Sequence, residues 1–294
     1  MQVQLRNRRL QGYLFALLAA MCYGSASTLG KFALGSASPL TITSFGSITA
    51  GLILFPYRFT AKIERRSFPT FALVILCGSV FGPLLFYTGL RLISAVTTAL
   101  LSNGELLFTS IIAIIVFKES LNRRQYAASL LVVFGIVAIS TNFSFSARLL
   151  GNLYGALCVL GATLCWGIEN NLARLLSQRV NTVAMARWRN FVGGLIVLAI
   201  MFLSGQAVTV VSAAIPYIIL TGIIPIGFTS LLLYQALSRI GAVRTLLIFS
   251  TCSLFGTLYA YVFLSEPITS VQLLGGAILF AGIVIIGRNE RTSP

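Results

Sequence analysis

The sequence predicts an all-α integral membrane protein of ten transmembrane helices, built as two inverted five-helix repeats. Three observations predict this class: an apolar composition, ten apolar runs of membrane-spanning length and an internal repeat. Of the 294 residues, 57% are hydrophobic and 9% are charged, whereas about 25% of residues are charged in an ordinary soluble domain. The mean hydropathy is +0.94. We therefore expect the chain to lie in a lipid bilayer.

Each predicted span is an apolar run bounded by charges, prolines or polar clusters. A run of about 20 residues crosses a hydrocarbon core of about 30 Å as a helix. In the first half the runs cover residues 11–32, 40–59, 70–90, 95–117 and 125–142. In the second half they cover residues 151–173, 182–204, 214–236, 244–265 and 271–288. We assign the first repeat to residues 7–142 and the second to 150–289, together forming one compact transmembrane unit.

The first run follows a basic segment, as the apolar core of a signal peptide would. It is long enough to span, however, and no small-residue cleavage site ends it. We therefore expect a retained first helix.

The basic residues predict the orientation, because cytoplasmic loops are enriched in Lys and Arg. They gather at both termini and in every second loop: Arg6, Arg8, Arg9; Lys62, Arg65, Arg66; Lys118, Arg123, Arg124; Arg174, Arg179, Arg187; Arg239, Arg244; Arg288, Arg291. The opposite side holds few charges, among them Arg91, Arg148 and Glu266. We expect a bacterial inner membrane protein with both termini in the cytoplasm. The net charge of +15 follows the same distribution, so we expect no nucleic-acid partner.

The internal repeat predicts that the two halves are related. A shift of 147 residues lays helices four and five on helices nine and ten without a gap, matching Glu119 with Glu266 and Gln125 with Gln272. The same shift matches Tyr87 with Tyr234 at the ends of the preceding helices, three and eight. A shift of 143 residues lays the first helix on the sixth and matches Cys22 with Cys165. Because five is odd, the second copy enters the membrane from the opposite side. Inverted repeats place a substrate site near the midplane and let either face open.

The acidic residues exclude several kinds of chemistry. All six are Glu, and the chain has neither Asp nor His, which removes most metal sites and catalytic triads. The five cysteines lie inside apolar runs without ligand spacing. We expect no cofactor, no metal and no enzymatic activity. The alternatives from other classes are a membrane-embedded enzyme, such as a lipid-modifying transferase, and a channel or scaffold.

Two helix ends carry a family resemblance, Phe-Lys-Glu-Ser-Leu at 117–121 and Leu-Ser-Glu-Pro-Ile at 264–268. With the inverted repeat, they resemble the EamA-like branch of the drug/metabolite transporter superfamily over nearly the whole chain. Within it, the chain most resembles bacterial YddG-type amino-acid exporters. The resemblance implies a secondary transporter that exports aromatic and other neutral amino acids by alternating access through a central cavity. Export of drugs or other metabolites is the alternative.

One position departs from the family pattern. Many members carry Glu-Pro in the middle of the fourth helix, where this chain has Glu105-Leu106. The departure removes the proline that would break the helix there.

Glu105 is the leading functional candidate. It lies halfway along the fourth span, where a carboxylate is costly unless it is paired, protonated or facing water. The alternative is a neutral acid that holds a neighbouring helix by hydrogen bonds. Glu169 is the second candidate for proton linkage, although it lies near the cytoplasmic end of the sixth span, where a structural role is the alternative. No acidic residue recurs at mid-membrane in both halves, which favours facilitated diffusion over proton antiport.

The candidate cavity residues are polar or aromatic side chains within predicted spans. They are Asn103, Glu105, Trp166, Asn170, Tyr234, Ser250, Tyr259 and Tyr87. Tyr87 and Tyr234 would line the cavity or, as the alternative, belong to the interfacial aromatic belt. Pro83 and Pro225 are candidate hinges, because a proline frees a carbonyl and bends a helix; kinks that serve packing alone are the alternative. The expected partners are a small-molecule substrate and the bilayer, and the oligomeric state stays open.

Overall fold

The computed structural model describes residues 2–56, 65–117, 123–141, 149–177, 180–206, 212–240, 245 and 248–289. Throughout this part of the chain the regular secondary structure is helical, without strands. The predicted all-α membrane class is therefore confirmed. Glu119 and residues 241–244 lie outside the described residues, as does the side chain of Tyr234.

In the described residues of the first half, seven α-helices follow the predicted spans. They are α1 (Gln2–Leu34), α2 (Pro39–Ile53), α3 (Phe68–Ile75), α4 (Gly82–Leu92), α5 (Ala95–Leu101), α6 (Gly104–Phe117) and α7 (Arg123–Thr141). A π-helical segment, Leu76–Phe81, joins α3 to α4, so that Phe68–Leu92 forms one apolar rod long enough to cross a bilayer. Serine begins two of the helices, because Ser38 and Ser94 accept the free amides of Thr41 and Thr97.

In the second half, the described helices again follow the predicted spans. They are α8 (Leu149–Ser177), α9 (Thr182–Leu203), α10 (Ile215–Thr221), α11 (Thr229–Ile240), α12 (Cys252–Leu264) and α13 (Ser270–Asn289). A second π-helical segment, Gly222–Phe228, joins α10 to α11. Asn181 caps α9 by accepting the amides of Val183 and Ala184.

The two π-helical segments occupy matching places in the two halves. Shifted by 147 residues, Leu76–Phe81 falls on 223–228, within Gly222–Phe228. The candidate hinges do not match in this way, since Pro83 lies just after its π segment and Pro225 lies inside the other. A proline lacks an amide hydrogen and displaces the carbonyl four residues earlier. Each proline therefore helps to widen the helix that contains it, but the two prolines lie at different positions relative to their π-helical segments.

The fourth predicted span is interrupted at Ser102 and Asn103, between α5 and α6. The interruption contains no proline. The amides of Asn103 and Glu105 donate three residues back, to Leu100 O at 3.3 Å and to Ser102 O at 3.2 Å, which tightens the chain locally. The second half repeats it just before α12, where the Thr251 hydroxyl donates to Ile248 O at 2.6 Å. Both interruptions lie close to the middle of a predicted span.

Helices from the two halves pack against each other throughout the molecule. The most extensive contacts pair α7 with α13, α2 with α9, α4 with α8, and α1 with both α11 and α12. Glycines permit the close approaches, because a Cβ at Gly89 would lie 2.6 Å from Gly155 O and a Cβ at Gly24 would lie 2.8 Å from Cys252 O. Glu105 of the first half and Asn170 of the second meet between these packed halves.

Candidate functional site

A central cluster, defined as Tyr23, Glu105, Thr109, Trp166 and Asn170, joins the two halves. Glu105 lies in the first turn of α6, and Asn170 lies on α8. The Asn170 amide nitrogen donates to Oε1 of Glu105 at 2.8 Å and to the Thr109 hydroxyl at 3.3 Å. The Tyr23 hydroxyl lies next to the Glu105 carboxyl group, although it makes no well-formed hydrogen bond in the described part of the chain. The structure thus brings the predicted residues Glu105, Trp166 and Asn170 together.

Aromatic rings border the central cluster. The Trp166 ring meets Tyr23 edge-on, with centroids 6.2 Å apart, and meets Phe86 at 5.6 Å. Phe86 in turn contacts Tyr87 edge-on at 5.2 Å, and Phe249 contacts Tyr23 at 5.2 Å. These pairs have the offset or edge-to-face geometry that aromatic rings prefer. The cluster therefore presents a carboxylate and an amide beside an extended aromatic surface.

A buried ion pair lies beside this cluster. Arg189 on α9 forms an ion pair with Glu169 on α8. Glu169 is 5% exposed. The second guanidinium nitrogen donates to Oδ1 of Asn190 at 3.3 Å, and the Ser79 hydroxyl donates to the same oxygen at 3.0 Å. Arg189 also lies close enough for its charge to act on Glu105. A charge pair at this depth is expected to face the bundle interior.

The sequence reasoning missed Arg189, Asn190, Ser79 and Tyr23. Arg189 carried a signal that could have found it, since it lies seven residues inside the apolar run 182–204. An arginine within a span calls for a buried partner, and Glu169 is that partner. No such signal marks Tyr23 or Ser79, because hydroxyl groups are common in apolar helices.

Two glycines, one in the π-helical segment Leu76–Phe81 and one just after it, face the site residues Glu169 and Trp166. A Cβ atom at Gly78 would lie 2.6 Å from Cδ of Glu169, and one at Gly82 would lie 2.6 Å from Nε1 of Trp166. Any larger side chain at either position would displace a site residue. The pair at four-residue spacing thus packs against site side chains rather than against another helix backbone.

The two interrupted helices meet at Asn103. Its amide nitrogen donates to the Ser253 hydroxyl at 2.6 Å, and Ser253 donates to Ser250 O at 3.3 Å. The predicted residues Asn103 and Ser250 are buried at this junction. A small cavity lies beside it, lined by Tyr23, Ser27, Phe86, Ser102, Cys252 and Ser253. Among the described residues, the buried hydroxyl of Ser27 has no hydrogen-bond partner.

The remaining tyrosine candidates lie in different surroundings. Tyr87 is 3% exposed and packs against Gly30, so it does not lie in an exposed interfacial belt. Tyr259 is half-buried and stacks on Phe255 of its own helix at 6.4 Å.

Glu266 caps a helix of the other half. Its carboxylate oxygens accept the amides of Ala95 and Val96, both at 3.0 Å. A carboxylate at a helix N-terminus satisfies free amides and interacts favourably with the helix dipole. Glu266 lies at a predicted helix end, and the helix that its side chain caps is α5, which belongs to the other half.

Two further side chains, Lys31 and Gln272, bind near the same place as Glu266. We call these three residues, together with the turn between α4 and α5, the loop clamp. The Lys31 ammonium donates to Leu90 O and Ile93 O, both at 2.7 Å. The Gln272 amide donates to the Thr97 hydroxyl at 2.9 Å. The clamp therefore connects both α1 and the second half of the chain to the turn between α4 and α5.

Comparison with known proteins shows the family. The EamA-like transporter family matches residues 10–141 and again residues 153–288. An uncharacterized transporter of Methanothermobacter thermautotrophicus is 30% identical, over 97% of this chain and 88% of its own. The uncharacterized transporter YoaV of Bacillus subtilis is 24% identical, over 81% of this chain and 82% of its own.

More distant similarities agree with this assignment. A WAT1-related chloroplastic protein of Arabidopsis thaliana is 23% identical, over 91% of this chain and 67% of its own. A crystal structure shares the fold with a TM-score of 0.67 at 15% identity, covering 96% of this chain and 99% of that one. The chain is a membrane transporter that belongs to the EamA-like transporter family of the drug/metabolite transporter superfamily.

Proposed function

We propose that this transporter exports neutral amino acids, aromatic ones included, by alternating access through a central cavity between two inverted repeats. The observation that carries the proposal is the hydrogen bond between Glu105 and Asn170, which joins the two halves beside a wall of aromatic rings. The double match of the family supports two repeats within the chain. A site between repeats is the arrangement that alternating access requires.

The chemistry of the cluster fits a zwitterion with an apolar side chain. The Glu105 carboxylate can accept an ammonium group, and the Asn170 amide and the Tyr23 hydroxyl can donate to a carboxylate. The rings of Trp166 and Phe86 offer a surface on which an apolar or aromatic side chain can stack. A hydrophobic drug offers neither an ammonium group for Glu105 nor a carboxylate for Asn170.

We favour facilitated diffusion, in which the substrate gradient alone drives transport, over proton antiport. Glu169 is paired with Arg189, so a proton on Glu169 would remove the carboxylate charge from this ion pair. Glu105 is then the remaining acidic candidate within the cluster, and we assign it to the substrate ammonium. We further propose an inner-membrane location with both termini in the cytoplasm, which the basic loops support.

Counterflow in proteoliposomes tests the proposal. Vesicles that hold purified protein and unlabelled phenylalanine should accumulate labelled phenylalanine, and the uptake should saturate. Trp166→Ala should reduce it, whereas Leu164→Ala, two residues earlier on the same helix and 40% exposed, should not. Uptake no greater than in empty vesicles for every amino acid would exclude this substrate class. Flux that stays linear with concentration would favour a channel instead.

A further inference from the structure

An apolar groove runs along the outside of the molecule between α3 and α9. We call it the interface groove. Residues within 68–76, among them Phe68, Ile75 and Leu76, line one side, and Trp188, Val192 and Ile196 line the other. Its volume is about 600 Å³. That volume falls within the range of pockets that hold small molecules, about 300–1,000 Å³. The groove is separate from the central cluster and takes no part in the proposed transport site.

The groove exists because α9 approaches the rod Phe68–Leu92 closely at only part of its length. One close contact brings Gly193 against Ser79. Toward the start of both helices the facing segments are 68–76 and 188–196, and the groove lies between them. With a rise of 1.5 Å per residue, each wall is about 12 Å long. The floor is apolar, since Phe71 and Ile75 belong to a buried cluster against which Val192 and Ile196 pack.

One end of the groove is basic and aromatic. The Arg187 guanidinium lies over the Phe55 ring, 5.1 Å from its centroid, and 5.6 Å from the centroid of Trp188. Trp188 is 36% exposed, and an exposed tryptophan beside an arginine is typical of the membrane interface. Arg66, two residues before Phe68, is exposed at the same end. The other end, toward Ile196 and Leu76, carries no charge.

We propose that the interface groove binds a phospholipid with an anionic headgroup, its acyl chain along the apolar walls and its phosphate at Arg187 and Arg66. Guanidinium groups bind phosphate through paired hydrogen bonds, and basic pockets between transmembrane helices attract anionic lipids. A lipid fits this end better than a second copy of the chain does. The whole chain has six acidic residues, so another copy offers little negative charge to the two arginines.

The tryptophan content gives a direct test. The chain has two tryptophans, so Trp166→Phe leaves Trp188 in the groove as the single fluorophore. The full-length variant is reconstituted in phosphatidylcholine with increasing mole fractions of brominated phosphatidylglycerol or brominated phosphatidylcholine, since bromine quenches a tryptophan that it touches. We expect half-maximal quenching at a mole fraction at least about fivefold lower for the anionic lipid. Trp188→Phe, which leaves Trp166 alone, should show no such preference.

Two further variants separate the headgroup from the acyl chain. Arg66→Gln with Arg187→Gln should remove the preference for phosphatidylglycerol while quenching by both lipids persists. Val192→Phe narrows the groove and should reduce quenching by either lipid. Leu195→Phe, on the same helix, outside the groove lining and 42% exposed, should not. Each variant is compared with its own fluorescence in unbrominated lipid, which removes the effect of Arg187 on the Trp188 emission.

Three outcomes would overturn the proposal. Equal mole-fraction dependence for the two brominated lipids would mean ordinary contact with surrounding lipid. A preference that survives the double arginine change would place the anionic site elsewhere. Weak quenching of Trp188 by both lipids, which increases only when the protein is diluted in the bilayer, would show that a second copy covers the groove.

Discussion

At the scale of single residues, the pair between Arg189 and Glu169 is the charge contact on which the site depends. Glu169→Gln should lower the melting temperature of the purified protein, because it leaves Arg189 charged within a transmembrane helix. Breaking one side of a buried pair typically costs about 3–5 kcal/mol. Arg189→Gln should destabilise by a similar amount, and thermal unfolding in detergent measures both.

A double variant tests whether Glu169 and Arg189 stabilise the protein as a pair or independently. Glu169→Gln with Arg189→Gln removes both charges, so the unpaired-charge penalty disappears and the double variant should be more stable than either single one. A double variant whose loss equals the sum of the two single losses would show that the residues do not depend on each other.

A substitution at Glu105 should impair transport without lowering stability. Glu105→Gln keeps a side-chain oxygen that can accept from Asn170, so the melting temperature should change little. The neutral amide loses the charge that the proposed function assigns to the substrate ammonium. Since a hydrogen bond to a charged group contributes about 1.5–3 kcal/mol, KM in the counterflow assay should rise about tenfold or more.

A pH gradient tests the assigned coupling on the same vesicles. Facilitated diffusion predicts that an imposed gradient leaves the initial flux of the unchanged protein as it is. A flux that follows the gradient, and loses that dependence in Glu105→Gln, would instead make Glu105 a proton carrier.

At the scale of helices, the π-helical segment matters because it places Gly78 against Glu169. Gly78→Ala should lower both the melting temperature and transport, since the new methyl group overlaps a carboxylate that Arg189 holds in place. Overpacking of this kind costs about 1–3 kcal/mol. Thermal unfolding and counterflow measure the two effects.

Gly46→Ala is the matched control. Gly46 is also buried in a helix, yet a Cβ there would have its nearest neighbour at 4.0 Å. Alanine favours a helix over glycine by up to about 1 kcal/mol, so this variant should be as stable as the unchanged protein or more stable. If both variants lost the same amount of stability, the contact with Glu169 would not be the reason that alanine is unfavourable at Gly78.

The helices also show what the sequence could and could not predict. The apolar runs located the described helices, because hydrophobic length is a property of the local sequence. The interruption at Ser102 was not predicted, since a serine hydroxyl that competes for a carbonyl is equally compatible with a continuous helix. Glu105 was found because a charge in a span is rare. Tyr23 was not, because its place in the site depends on packing between distant helices.

At the scale of the whole molecule, the loop clamp holds the two halves together at one face. Glu266 and Gln272 reach across from the second half to the start of α5. Lys31 fastens the same turn from α1. By the predicted orientation this face is the one opposite the basic loops. The proposed alternating access requires the face to open during every cycle, so the clamp must release.

A reversible crosslink across the clamp tests that requirement. Thr97→Cys with Gln272→Cys replaces two side chains that now hydrogen-bond at 2.9 Å, in a protein whose five native cysteines have been changed to alanine. A short bifunctional methanethiosulfonate, which forms a disulfide with each cysteine, should reduce counterflow to the level of empty vesicles, and reduction of the disulfides by dithiothreitol should restore it. Either single cysteine variant, treated in the same way, should keep its activity. Full counterflow with the crosslink in place, verified by mass spectrometry, would show that this face stays closed during transport and that the substrate leaves by another route.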